Sequence, residues 1–366
     1  MAPTELIAHG EHVMTVCNAC RYCEQYCPVF PAIERRLTFG EADLTYLANL
    51  CHNCGECLYA CQYAPPHEFG IDVPHTLAAI RLHSYEAYCW PAFLGAAFRR
   101  NNLLTGLALS LGFSVGLLAL VWMTNPGALT EREPRGDFYS VVPHAVMVTL
   151  FGLVGLFVLS ALGISAVRFW RATHGGAVTG ISGASICRAL RAALTLRHLH
   201  ATGEDCTSSQ DVRTPWRRWF HHCTFYGFML CFASTSVAAI YHSVFGWQAP
   251  YAYASLPVVL GTVGGIGLVI GPAGLWLVKS RRDPALGDPR QAGLDDSFIA
   301  LLFITSLTGL LLLVLRNTAY MGTLLIVHLG VVLALFIALP YGKFVHGIYR
   351  LAALAKNETE ERRTGS

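Results

Sequence analysis

Charge is what this chain has least of. Asp, Glu, Lys and Arg make up 13% of its 366 residues against 54% apolar ones, a balance far from that of a soluble domain. No G-x-G-x-x-G fingerprint follows a strand pattern and no phosphate-cradling G-x-x-x-x-G-K-S/T occurs, which excludes the usual dinucleotide and nucleoside-triphosphate sites. No Cys-x-x-Cys-His is present, so any haem is of the non-covalent b type. No nucleophile-and-base constellation is evident, so organic catalysis belongs on another chain. The N-terminus carries Glu5, His9, Glu11 and His12 where a secretory leader has a basic segment and an apolar core. Its cysteines are therefore expected in a reducing cytoplasm, not in disulfides.

What the chain does have is cysteine, 13 in all. Eight fall in two tandem runs, Cys17-x2-Cys20-x2-Cys23-x3-Cys27-Pro28 and Cys51-x2-Cys54-x2-Cys57-x3-Cys61. Each run has the spacing that holds a [4Fe–4S] cube in bacterial two-cluster ferredoxins, where the fourth cysteine of a run reaches across to the other cluster. On that crossed pattern Cys17, Cys20, Cys23 and Cys61 hold one cube, and Cys51, Cys54, Cys57 and Cys27 the second. Zinc takes its four ligands in two pairs and leaves the third cysteine of each short run without a role. The remaining cysteines, Cys89, Cys187, Cys206, Cys223 and Cys231, lack a cluster spacing and read as ordinary small residues. Chemistry of this kind moves electrons singly.

Beyond Asn102 the sequence becomes long apolar runs. Six are of bilayer-crossing length: Leu103–Met123, Pro143–Phe169, His221–His242, Ser255–Val278, Phe298–Leu315 and Leu324–Val345. They are apolar all round rather than striped and contain no Asp or Glu. With six spans, the N-terminal head, the second and fourth loops and the tail share one side, and these pieces carry 23 of the 26 Lys and Arg. Only Arg132, Arg135 and Arg316 lie on the other side. This asymmetry predicts both termini in the cytoplasm, and it accounts for the basic residues without nucleic acid. Within the second loop, Ile186 to His200 reads as an amphipathic surface helix, more simply a solvated or lipid-facing segment than a dock. The tail from Lys356 to Ser366 reads as disordered. The glycines of the fourth run, from Gly261 to Gly274, suit close helix packing rather than a phosphate loop.

Histidine inside a span is costly and commonly functional. His328 and His346 are 18 residues apart on the sixth run, five helical turns, so a straight helix presents both on one face about 27 Å apart. His221 and His242 on the third run are 21 apart, near one face and about 32 Å apart. The two runs are antiparallel, which matches His221 with His346 near the head and His242 with His328 on the far side. Paired imidazoles at two depths are how a helical bundle holds b haems, so one or two haems are expected. His222, on the other side of its helix, and His144, at the outer end of the second run, are the alternates. Lys343 beside His346 marks a quinone or proton path.

The stretches CRYCEQYCPVF and LANLCHNCGECLYACQYAPPHEFGIDVP, with HHCTFYGFMLCFAST and LPVVLGTVGGIGLVIGPAGL in the apolar part, closely resemble the tricarballylate/citrate-utilisation protein B family along nearly the whole chain. PYGKFVHG around His346 is similar to the haem-bearing end of nitrate-reductase-type gamma subunits. Gln62 stands where ferredoxins often have proline, a residue that shapes the turn and ligates nothing. The resemblance implies a role: reoxidising the FAD of a separate tricarballylate dehydrogenase and passing its electrons to membrane quinone. The expectation is therefore a mainly α protein, with a two-[4Fe–4S] ferredoxin-like domain over residues 1–91 fused to a six-helix, cytochrome-b-like membrane domain over 92–350, and a tail over 351–366. Such a chain is an electron-transfer subunit in a bacterial inner membrane, not an enzyme on its own. A redox-linked transporter subunit and an iron–sulfur sensor are the rival readings.

Overall fold

A computed structural model describes residues 3–132, 136–174, 182–199, 206–207 and 213–364. Arg135 and the expected end of the surface helix at His200 lie outside them. Among the described residues six helices are long and apolar enough to cross a membrane: Asn102–Thr124, His144–His174, Trp216–Ser243, Leu256–Ser280, Pro289–Leu315 and Met321–Ala338. Their outer faces carry exposed Leu111, Leu159, Phe232 and Val263, the surface a bilayer covers. This is a multi-pass membrane protein with a head at one end.

Third and fourth spans cross closely. A Cβ on Gly227 would stand 2.8 Å from the Gly264 carbonyl oxygen, and one on Gly264 the same distance from that of Gly227. Small residues are what let helix backbones approach in lipid, which accounts for the glycines of the fourth span.

The head is built on helices Pro3–Cys20, Glu41–Leu50 and Val73–Tyr88. Asp72 caps the third, accepting from the His75 amide at 3.1 Å, and Pro74 suits its first turn. The first cysteine run starts in the last turn of the first helix, at Cys17 and Cys20, and the second follows Leu50; both lie over a core of Met14, Leu44, Leu47, Leu77 and Ile80. Among the described residues the only strand pairing is a two-residue antiparallel ladder, Cys206 opposite Thr214 and Thr207 opposite Arg213.

The chain's end departs from expectation. The sixth span stops at Ala338, and a turn through Pro340 and Gly342 leads into a separate helix, Val345–Thr364. Pro340 has no amide to donate and its ring crowds the preceding turn, so His328 and His346 do not share one straight helix. The expected tail is helical as far as Thr364, and the 350/351 boundary falls inside this closing helix. Ala353 and Leu354 are buried in the head core. Tyr349, 1% exposed, stacks on Phe169 of the second span at 4.4 Å and 7°. Arg36 bonds both Asp43 (2.6 Å) and Glu360 (2.8 Å), fastening the helix to the head. The surface helix forms over Gly183–Leu194. Its Ala189 joins the head core, its Arg188 meets Glu358 at 2.6 Å, and Ile186, Leu190 and Leu194 stay exposed. Tyr226 of the third span donates to the Leu194 carbonyl, which ties the end of this helix to the level of the span's first turns.

Candidate cofactor-binding site

The two cysteine runs share one turn. The residue after the second cysteine is left-handed in each, Arg21 at φ 56° and Gly55 at φ 94°. At Gly55 there is a second constraint, because a Cβ would stand 2.8 Å from Leu286 of the fourth loop. Glycine meets both demands.

The runs exchange their last cysteines. Cys17, Cys20, Cys23 and Cys61 border one cavity of about 180 Å³, while Cys27, Cys51, Cys54 and Cys57 border a tighter one of about 10 Å³. Cys57 lines both. Burial first, then Cys61, Cys23 and Cys20, pushes the Cys17 thiol up to about 12. Burial, then Cys54 and Cys51, raises Cys27 and Cys57 well above the ordinary thiol range. Without a cation such a set stays as neutral thiols, and bound iron takes the sulfurs as thiolates outright. Among the described residues no three His, Cys, Asp or Glu side chains close on a single-ion position; the thiols ring cavities instead. The grouping of the cysteines matches the crossed arrangement that their spacing predicts.

The second run is covered from the membrane side. Leu196 and Leu199 pack on Cys54, and His198 lies edge-on to His52 at 5.7 Å. Four arginines bind its backbone. Arg81 donates to Ala48 O (2.7 Å) and Cys51 O (3.0 Å). Arg350 of the closing helix also donates to Cys51 O. Arg217, at the start of the third span, donates to Asn53 O (2.8 Å) and His52 O (3.0 Å). Arg282 of the fourth loop adds a bond to Asn53 O at 2.6 Å. Burial and the charges of Arg81 and Arg217 push Arg350 down to about 10, so it stays protonated at neutral pH. Burial, followed by Arg350, His198, Arg217 and Arg81, holds His52 neutral.

One helical turn from this grip stands a histidine pair. His221 follows Arg217 by four residues and His346 precedes Arg350 by four, an axial step of about 6 Å on each helix. Their ring centres are 6.1 Å apart with planes at 85°. Two imidazoles on opposite sides of one iron, with metal–nitrogen bonds of about 2 Å, have ring centres roughly 6 Å apart. His346 Nδ1 donates to the Lys343 carbonyl at 2.5 Å, leaving Nε2 as the available ligand atom. His221 Nδ1 is buried without a partner among the described residues. The pair fits one haem iron. Lys343 itself forms an ion pair with Asp295 at 2.7 Å; burial, opposed by Asp295, pushes its ammonium down to about 8.

The outer pairing differs from expectation. His242 stacks on His144, not His328, with ring centres 3.8 Å apart and Tyr139 edge-on to both. Stacked rings at that spacing leave no room for an iron between them. His328 turns instead to Thr308 of the fifth span, Nδ1 to Oγ1 at 3.0 Å. The break at Pro340 undoes the register that linked His328 to His346. His222 stacks on Tyr226. Sequence reasoning missed the arginines, counting them as topology determinants only; the signal was the shared four-residue spacing of Arg217–His221 and His346–Arg350.

Residues 10–87 match the family model for the citrate utilization protein B Fer4-like domain, and residues 97–366 that for citrate utilization protein B. The chain is 51% identical over 361 residues to the citrate utilization protein B of Escherichia coli, covering 98% of this chain and 94% of that one. No solved structure matches it. Head and spans together thus carry one family's signature, and the chain belongs to the citrate utilization protein B family.

Proposed function

We propose that this protein takes electrons from a partner FAD-dependent dehydrogenase acting on tricarballylate or a similar tricarboxylate such as citrate, and delivers them to the quinone pool. It does so as an electron-transfer subunit of a bacterial inner membrane, with both termini in the cytoplasm and no substrate chemistry of its own. Two [4Fe–4S] clusters and one b haem, when bound, supply the one-electron carriers. Cys17, Cys20, Cys23 and Cys61 hold the outward cluster, Cys27, Cys51, Cys54 and Cys57 the inward one, and His221 with His346 the haem.

The observation that carries this reading is the pair of arginine–histidine turns. Arg217 and Arg350 hold the second cysteine loop while His221 and His346, one turn away, face each other at 6.1 Å. Leu196, Leu199 and Leu286 close that loop against the membrane domain, so the partner meets the head at the first run, where Tyr22 and Phe69 are exposed. We assign Lys343, paired with Asp295 at the head end of the spans, as the proton donor to a reduced quinone. A transporter reading expects acidic groups at mid-depth. Asp295 and Asp296 sit instead at the head end of the fifth span, paired with Lys343 and Lys279.

The test is reconstitution in vesicles with an FAD-dependent tricarboxylate dehydrogenase, its substrate and a quinone. Quinol formation that requires this protein and stops with His346→Ala is expected. Unchanged quinol formation in the variant would sink the path through the imidazole pair.

A further inference from the structure

The two cysteine sets sit in unequal electrostatic surroundings. The second loop has four guanidiniums on carbonyls spanning Ala48 to Asn53, drawn from the head, the third span, the fourth loop and the closing helix. The first run has its own guanidinium, Arg21 on the Asn18 carbonyl at 3.2 Å, but at the exposed surface. Their solvent access differs as well. Cys51 and Cys54 are 7% and 8% exposed, whereas Arg21, Tyr22, Glu24 and Gln62 leave the first set at the surface.

Adding an electron to a cluster adds negative charge to its site. Nearby fixed cations and amide dipoles polarised by them favour that reduced form, and carboxylates oppose it; net charge and hydrogen bonding are established levers on cluster potential. Burial alone works the other way, by disfavouring added charge. Four cations brought to one loop outweigh it, because charges act most strongly where water is excluded.

We propose that Arg81, Arg217, Arg282 and Arg350 hold the inward cluster at a higher reduction potential than the outward one, which gives electron flow through the head a fixed direction toward the membrane. The inference rests on the reading that the eight cysteines bind two clusters, and adds to it a ranking of the two and the residues that set it. Three of them, Arg217, Arg282 and Arg350, also dock the head, so direction and assembly share one device: the loop reaches its full raised potential only when seated on the spans.

The experiment is a potentiometric titration of the full-length protein in detergent, followed by electron paramagnetic resonance, for wild type, Arg350→Gln, Arg282→Gln and Arg350→Lys. Two waves are expected in the wild type. Either glutamine variant moves the upper wave down by tenfold or more in the reduction equilibrium, about 59 mV for one electron, and leaves the lower wave in place. Arg350→Lys keeps the charge and restores most of the shift, which a purely structural role for the guanidinium does not do. Arg282 lies at the rim of the interface, so its variant carries the test alone if Arg350→Gln fails to assemble. Waves that do not move, or a lower wave that moves in place of the upper, overturn the inference. A wild type with fewer than about eight irons and no cluster signal overturns the cluster reading itself, and the inference with it.

Discussion

Replacing Tyr349 with alanine tests whether the closing helix is part of the head–membrane core. The ring is 1% exposed, lies flat on Phe169 at 4.4 Å and meets Tyr85 and Tyr88 at 5.7 and 6.3 Å. It therefore joins three elements far apart in sequence: the third head helix, the second span and the closing helix. Truncating a buried aromatic of this size costs about 3–5 kcal/mol, and each lost ring pair adds roughly 0.5–1.5 kcal/mol beyond area. Relaxation around the hole offsets part of this, so about 4 kcal/mol is expected for Tyr349→Ala. Tyr349→Phe keeps every ring contact and costs about 1 kcal/mol at most. Followed as loss of visible cluster absorbance on heating in detergent, the alanine variant is expected to fail roughly 10 °C earlier, and the phenylalanine variant within a few degrees of wild type. Equal midpoints for the two variants would refute the closing helix as a structural clamp.

Crossed ligation makes Cys61→Ala destroy the cluster of the first run and Cys27→Ala that of the second, each removing about four of eight irons; iron analysis with spin quantitation reads this. His221→Ala and His346→Ala each abolish bound b haem, whereas His242→Ala, His144→Ala and His328→Ala retain it, as seen in reduced-minus-oxidised spectra. Gly264→Leu pushes a side chain into the Gly227 carbonyl, where a Cβ alone would stand 2.8 Å away. Overpacking of that kind costs about 1–3 kcal/mol or more, so the yield of monodisperse protein falls while Gly116→Leu, with open space around it, has no effect.

The cysteine runs and the six spans were legible in the sequence because their signals are local. Ligand spacing within ten residues and unbroken apolarity over twenty need no tertiary context. The inner histidine pairing was reachable by helix arithmetic, since His221 and His346 lie at matching depths. That arithmetic failed for the outer pair, because it assumed a straight helix through Pro340. The closing helix was hidden for a different reason. Its sequence ends in NETEERRT, polar enough to read as solvated, and only three-dimensional packing gives Tyr349, Ala353 and Leu354 a partner surface. The arginines illustrate a third limit. Counting basic residues per loop treats Arg217, Arg282 and Arg350 as interchangeable with Arg171 or Arg281, yet only the fold brings the first three to the carbonyls of one cysteine loop.

The central claim is that one chain holds two iron–sulfur clusters and one haem in a line from head to membrane. Iron and haem counts on the purified protein, with a dithionite-reduced minus oxidised spectrum, test it most directly. The account predicts about eight cluster irons and a single b haem per chain. Eight irons with no haem would contradict the assignment of His221 and His346, and two haems would contradict the reading of the stacked outer pair.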